Sequence, residues 1–105
     1  MASEGFTPID FAGLADALLR RASTLVPQWL PGGMQRGAEW VCDDLSGGEG
    51  GACSVNLTTG KWADFRGEDK GGDLISLYAA IHRMGQGEAA RELMDAIGWA
   101  AKPAH

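Results

Sequence analysis

Hydrophobic residues near the start of the chain recur at helical spacing. Phe11, Leu14, Ala15, Leu18, Ala22 and Leu25 fall on one face of a single predicted helix. Thr7 is placed as its N-cap, Pro8 suits its first turn, and Asp10 stands where a capping box wants an acid. Phe6 and Phe11 occupy the two positions of a hydrophobic staple. Pro27 disfavours helix at Val26, and Pro31-Gly32-Gly33 ends the segment, leaving Trp29 and Leu30 to plug the edge of a core. Arg20 and Arg21 sit near the helix C-terminus, where the dipole favours cations, and two isolated bases there do not make a nucleic-acid patch.

The period then changes from helical to two. Ala38 to Cys42 places Trp40 and Cys42 on one face and Val41 on the other. Ala52 to Leu57 alternates Cys53, Val55 and Leu57 against Ser54 and Asn56. Lys61 to Phe65 reads as a third short strand with Trp62 and Phe65 as its packing residues. Between the first two lies the acidic, glycine-rich stretch Asp43 to Gly51, which is expected to be mobile. Thr58-Thr59-Gly60 supplies a short hairpin to the third strand.

After a Gly71-Gly72 corner, Asp73 is placed as the N-cap of a helix carrying Leu74, Ile75, Leu77, Tyr78 and Ile81. Gly85 and Gly87 predict a break, and Glu88 to Ile97 supplies Ala89, Ala90, Leu93, Met94 and Ile97 at helical spacing before Gly98 stops it. Arg91 and Asp95 are spaced to pair, and the tail from Trp99 to His105 is expected to fray beyond its tryptophan. The expected fold is α+β: an N-terminal helix, a three-stranded antiparallel ribbon-like sheet and two C-terminal helices.

Length makes this one domain of 105 residues, with a helical segment over 1–30 and a core over 38–98. A second catalytic domain does not fit. Leu14 to Leu30 is interrupted by Arg20, Arg21 and Pro27, so no membrane span or signal peptide is read, and the expected location is the cytoplasm. Cys42 and Cys53 are too few for a secreted disulfide scaffold; they can face each other across a hairpin, but a reducing compartment argues against a structural bridge. Charge changes the picture most. Glu39 to Asp73 holds eight acids and three bases and so carries the entire net charge of −5. Such a surface repels phosphates at long range and favours basic partners.

Several chemistries lack their residues. Gly47 to Gly51 has no Lys-Ser or Lys-Thr continuation for a P-loop. The Gly71-Gly72 corner and Lys70 could face a phosphate, but Asp73 stands where its carboxylate caps the same amides. Cys42, Cys53, His82 and His105 include no Cys-x-x-Cys or Cys-x-x-His, so no metal is expected. The cysteines have no neighbouring base, and Asp43-Asp44 and Glu68-Asp69 read as solvated loop charge. Four tryptophans are assigned to packing. No cofactor, small-molecule substrate or catalytic residue is expected.

A family resemblance rests on five runs: Glu39-Trp40-Val41-Cys42, Cys53-Ser54-Val55-Asn56, Gly60-Lys61-Trp62-Ala63-Asp64-Phe65, Lys70-Gly71-Gly72-Asp73-Leu74-Ile75-Ser76-Leu77 and Glu88-Ala89-Ala90-Arg91-Glu92-Leu93. Together, over Glu39 to Ile97, they resemble the N-terminal zinc-ribbon domain of bacterial and phage primases. In that family the ribbon holds zinc through cysteines and a histidine and contacts the single-stranded template. Here Cys42 alone falls at a ligand position; Leu45 stands in place of the histidine, and Phe65 and Glu68 in place of a Cys-x-x-Cys pair. The resemblance implies a three-stranded ribbon on C-terminal helices, with hydrophobic contacts replacing the metal, and a phage or mobile-element origin. It brings no catalysis, since polymerisation in primases belongs to a separate domain.

The leading expectation is a non-catalytic acidic module that docks on a basic, nucleic-acid-handling protein through Asp43, Asp44, Glu49, Asp64, Glu68 and Asp69. Its sharpest form is a phage-borne inhibitor that imitates DNA, for example against a CRISPR effector. The alternative is a primase-derived accessory module that binds single-stranded DNA in replication, through Lys61, Arg66 and Lys70 with an exposed tryptophan. A scaffold of the replication complex is the third.

Overall fold

The computed structural model describes residues 9–99. Phe6, Thr7, Pro8 and His105, to which roles were assigned above, lie outside them. The first helix, α1 (Phe11–Leu19), is capped by Asp10, whose Oδ1 accepts the Gly13 amide at 2.9 Å. Asp10 is therefore the cap itself rather than the acid of a capping box. Phe11, expected to form half of a staple, is 40% exposed.

The single predicted N-terminal helix is two. A turn at Arg20-Arg21 separates α1 from α2 (Ala22–Trp29). The buried residues explain the break. Leu14, Leu18, Ala22, Val26 and Leu30 are all essentially inaccessible and recur every fourth position. In a continuous helix each step of four overshoots a turn by about 40°, so Leu30 would lie about 160° away from Leu14. Breaking the helix resets that phase and keeps all five on one core. Pro27 sits inside α2 instead of ending helix at Val26. In so short a helix it deletes one bond, to the carbonyl of exposed Ser23, and the Leu30 amide still reaches the Val26 carbonyl at 2.9 Å.

The sheet has five strands in the order β1-β2-β3-β4-β5, an antiparallel meander, where three were expected. They are β1 (Met34–Arg36), β2 (Glu39–Cys42), β3 (Cys53–Asn56), β4 (Trp62–Asp64) and β5 (Asp69–Gly71). The three predicted strands are the central ones. Both edge strands were missed because neither buries a side chain: Met34, Gln35 and Arg36 are all exposed, as are Asp69 and Lys70. Their pairing is carried by the backbone, which leaves no apolar alternation to read. Gly37 takes φ 60° at the first position of the two-residue loop joining β1 to β2, the conformation such a hairpin asks of it.

One face of the sheet carries Cys42, Cys53, Val55 and Trp62 into a core completed by the helices. From α3 (Leu74–His82) come Leu74, Ile75, Leu77 and Ala79, and from α4 (Gln86–Ile97) come Ala89, Ala90 and Leu93. Asp73 caps α3 as expected, its Oδ1 accepting the Ser76 amide at 2.8 Å. The Ser76 hydroxyl donates to the Asp73 carbonyl at 2.9 Å and accepts the Trp62 indole N–H at 3.0 Å. A Cβ at Gly71 would strike both Ser76 Oγ and the Trp62 ring. That close approach, rather than an anion, accounts for a glycine at the corner.

Helix α3 ends at Arg83, which adopts the left-handed conformation at φ 55°. Gly85 precedes α4 as its N-cap, so Gly87 lies within the first turn instead of marking the break. Gly98 closes α4 at φ 65°. Arg21 reaches across the fold to donate to the Ile97 carbonyl at 3.2 Å, a free acceptor at the end of α4. Arg20 pairs with Asp16 at 2.7 Å, while Arg91 and Asp95 do not pair with each other. Among the described residues, no helix is long and apolar enough to cross a membrane.

Replacing Ser76 with alanine leaves the nearly buried Trp62 N–H without its acceptor. It should lower unfolding free energy in urea by about 1–3 kcal/mol, whereas Thr58→Ala, at an exposed turn, should stay within about 0.5 kcal/mol.

Candidate functional site

The turns joining β2 to β3 and β4 to β5 lie at the same end of the meander and, with the strand ends beside them, carry six of the eight acids between Glu39 and Asp73. The first is built by short backbone bonds, Asp43 N to Gly48 O at 3.0 Å and Gly47 N to Asp44 O at 2.9 Å. Asp44 Oδ1 accepts the Ser46 amide at 2.7 Å, and the Gly48 amide donates to the Pro31 carbonyl at 2.7 Å. The stretch expected to be mobile is thus tied internally and to the end of α2 as far as Gly48. Glu49, Gly50 and Gly51 remain exposed.

The second turn is organised by Asp64. Its Oδ1 accepts the amides of Arg66 at 3.0 Å and Gly67 at 3.2 Å, and the residue is only 5% exposed. Asp64 therefore belongs to the inside of the turn and is removed from the acidic surface expected above. Glu68 is held at φ 65°, a left-handed position that closes the turn. Arg66 Nη2 meets Asp43 Oδ1 at 2.7 Å and clasps the two turns together. Phe65, expected to pack, is 73% exposed at the tip. Phe65 thus faces water and makes no hydrophobic clasp at this end, where the Arg66–Asp43 ion pair joins the turns. Of the six predicted acids, Glu49, Glu68 and Asp69 are exposed and make no ion pair among the described residues, while Asp43 and Asp44 are half-engaged.

Cys42 and Cys53 are directly opposite one another in the β2–β3 ladder, fully buried and unbridged. Cys42 donates to the Asp44 carbonyl at 3.2 Å. The hydrogen bond from Cys53 lowers the Cys42 thiol, against burial and Asp44. Giving that bond raises the Cys53 thiol far above its ordinary range, with burial adding to it. Among the described residues no group of three or more His, Cys, Asp or Glu side chains is placed to hold a metal. His82 instead lies against the Tyr78 ring at 4.3 Å.

The opposite face of the sheet carries no helix among the described residues, and on its β1–β2 side the Glu49–Gly51 loop flanks it, lining a hollow with Met34, Arg36 and Val41. Alternation puts Met34 and Arg36, Glu39 and Val41, Ser54 and Asn56, Lys61 and Ala63, and Lys70 on this face, and none of these is buried. Three of the nine are cations and one is an acid. Ala63 pairs with Lys70, so Lys61 and Lys70 are diagonal neighbours, roughly 7–8 Å apart. Arg36 stands opposite Glu39 at the far edge. A shallow groove of about 410 Å³ runs over the face beside Glu39, Ser54, Asn56, Lys61 and Ala63.

Of the cations expected to bind nucleic acid, Lys61 and Lys70 are brought together here, while Arg66 is drawn to the acidic end. Arg36 was missed because β1 was missed. The legible signal was Gly37-Ala38, a two-residue loop before Glu39. The exposed tryptophan expected to stack bases is not found: Trp62 is buried, the Trp40 indole donates to the Leu30 carbonyl at 2.9 Å, and Trp29 packs edge-on to Tyr78 at 5.2 Å. Trp99 packs against the core. No family model, curated protein or solved structure matches the chain.

Asp64→Ala removes both bonds that shape the second turn and should cost about 1–3 kcal/mol in chemical denaturation. Glu68→Ala, on the same turn but solvated, should change stability by no more than about 0.5 kcal/mol.

Proposed function

We propose that this chain is a non-catalytic module that binds single-stranded DNA across the open face of its sheet, through Arg36, Lys61 and Lys70. The observation that carries this reading is the separation of charge. The middle of the chain is net negative, yet the open face holds three cations against Glu39, with Glu49 flanking its Arg36 side and most of the segment's carboxylates at one end. Small or neutral residues between the cations, Ser54, Asn56 and Ala63, leave room for a phosphate backbone to approach. The acidic end repels that backbone and so directs a strand over the face instead of around the turns. The resemblance to primase ribbons supports a single strand as the ligand, and a template-handling role beside a separate polymerising domain.

The physical expectation is weak, sequence-tolerant binding. With no exposed tryptophan for stacking, affinity comes from phosphate contacts, and three of these predict a slope of about −2 for log K against log salt. Anisotropy of labelled oligo-thymidine should show this slope at low salt. The double variant Lys61→Glu, Lys70→Glu should abolish the signal, and Arg66→Glu should change it by less than about twofold, because Arg66 is committed to Asp43. Absence of binding at low salt, or an Arg66 effect equal to the double variant, rejects the sheet face.

A second reading is favoured by Phe65. It stands 73% exposed at the acidic end, close in sequence to Glu68 and Asp69, as an aromatic anchor rimmed by carboxylates. That end, with Asp43, Asp44 and Glu49, suits a basic surface on a nucleic-acid-handling protein, including a defence nuclease inhibited by DNA imitation. Under this reading a purified candidate partner loses binding on Phe65→Ala and on Glu68→Lys with Asp69→Lys. Equal capture by all variants rejects it.

A further inference from the structure

Neither surface uses the cysteine pair. We propose that Cys42 and Cys53 form an intramolecular disulfide reversibly, with a hydroperoxide as the oxidant, making the base of the acidic turn a redox-responsive site.

The ladder supplies the geometry. The Leu57 amide donates to the Ala38 carbonyl at 2.7 Å, which makes Ala38 and Leu57 a hydrogen-bonded pair. Antiparallel pairs alternate, so Trp40–Val55 and Cys42–Cys53 are hydrogen-bonded pairs as well. Their Cα atoms are then about 5.5 Å apart, within the disulfide range, but Cβ atoms across such a pair stand toward the wide end of roughly 4.5–5.5 Å, beyond the disulfide mean of about 3.8 Å. The bridge is attainable by a small closure of the strands and carries strain. A strained bridge is easily reduced, which makes this a switch and not a staple.

The pair is also the last of the β2–β3 ladder, immediately before the turn. Beyond Gly48 the turn is exposed through Gly51, so local opening there uncovers the thiols without global unfolding. One sulfur attacks the peroxide; the O–O bond breaks, water or alcohol leaves, and a sulfenic acid forms. The second sulfur attacks that sulfur and expels water. Two electrons pass to the peroxide, two thiol protons end in the released products, and one S–S bond is made. The bridge also removes the proton that Cys42 donates to the Asp44 carbonyl, so oxidation loosens a tie of the turn bearing Asp43 and Asp44.

The test uses the whole chain and does not depend on either surface. After hydrogen peroxide treatment, the intact mass should fall by about 2 Da and both thiols should vanish from titration in denaturant. Digestion should give one peptide pair joined through Cys42 and Cys53, and dithiothreitol should restore both thiols. Gain of oxygen without the 2 Da loss, a disulfide-linked dimer, or both thiols persisting under peroxide that oxidises the unfolded chain each overturns the proposal.

Discussion

A hydrogen-bonded chain ties the sheet to α3, from the Trp62 indole to the Ser76 hydroxyl to the Asp73 carbonyl. Each partner has a second duty. Trp62 is the large side chain of β4 in the core, Ser76 sits in the first turn of α3, and Asp73 caps that helix. The relay requires the backbone at Gly71 to lie against both side chains, so the last strand and the helix after it cannot be placed independently. With α3 set, its apolar residues receive α1 on one side and α4 on the other. The same arrangement fixes which sheet face is covered, and so which one stays open.

That division explains how an acidic chain can present a basic surface. Turn residues and strand residues obey different rules. The turns need carboxylates: Asp44 and Asp64 accept backbone amides that would otherwise go unpaired, and Asp43 holds Arg66. The outward strand positions have no such need and carry Arg36, Lys61 and Lys70. Part of the negative charge is thus spent on local architecture. Net charge taken along the sequence weights Asp64 and Glu68 equally, yet one is enclosed and the other solvated.

Much of the fold was legible where burial and periodicity coincide. Cys53 and Val55 alternate inward, Leu74, Ile75 and Leu77 mark α3, and Asp73 caps it as its type and place imply. The edge strands were not legible, since a polar strand paired on one side leaves no pattern in its side chains. The helix break was present in the numbers, as a four-residue recurrence of Leu14, Leu18 and Ala22, but an average helical period absorbs it over so few turns. At the open face, Lys61 and Lys70 were named as candidates from the sequence, and the pairing of β4 with β5 makes them neighbours. Their company with Arg36 depends on pairings made by the backbone alone. Phe65 misled because an aromatic residue next to a strand is usually interior, and here Asp64 turns the chain just before it.

The meander has a kinetic meaning as well. Every ladder joins strands adjacent in sequence, so the five strands can pair as successive local hairpins with little loop-closure entropy. The apolar face of that sheet belongs to a different schedule. Its cover combines Leu14 and Leu18 from the first helix with Leu74, Ile75 and Leu93 from the last two. During synthesis a paired sheet would therefore exist with one greasy side open until α4 emerges. The interval between pairing and lidding is when this chain is most exposed to wrong partners, and its short polar edges limit how far another strand can extend it.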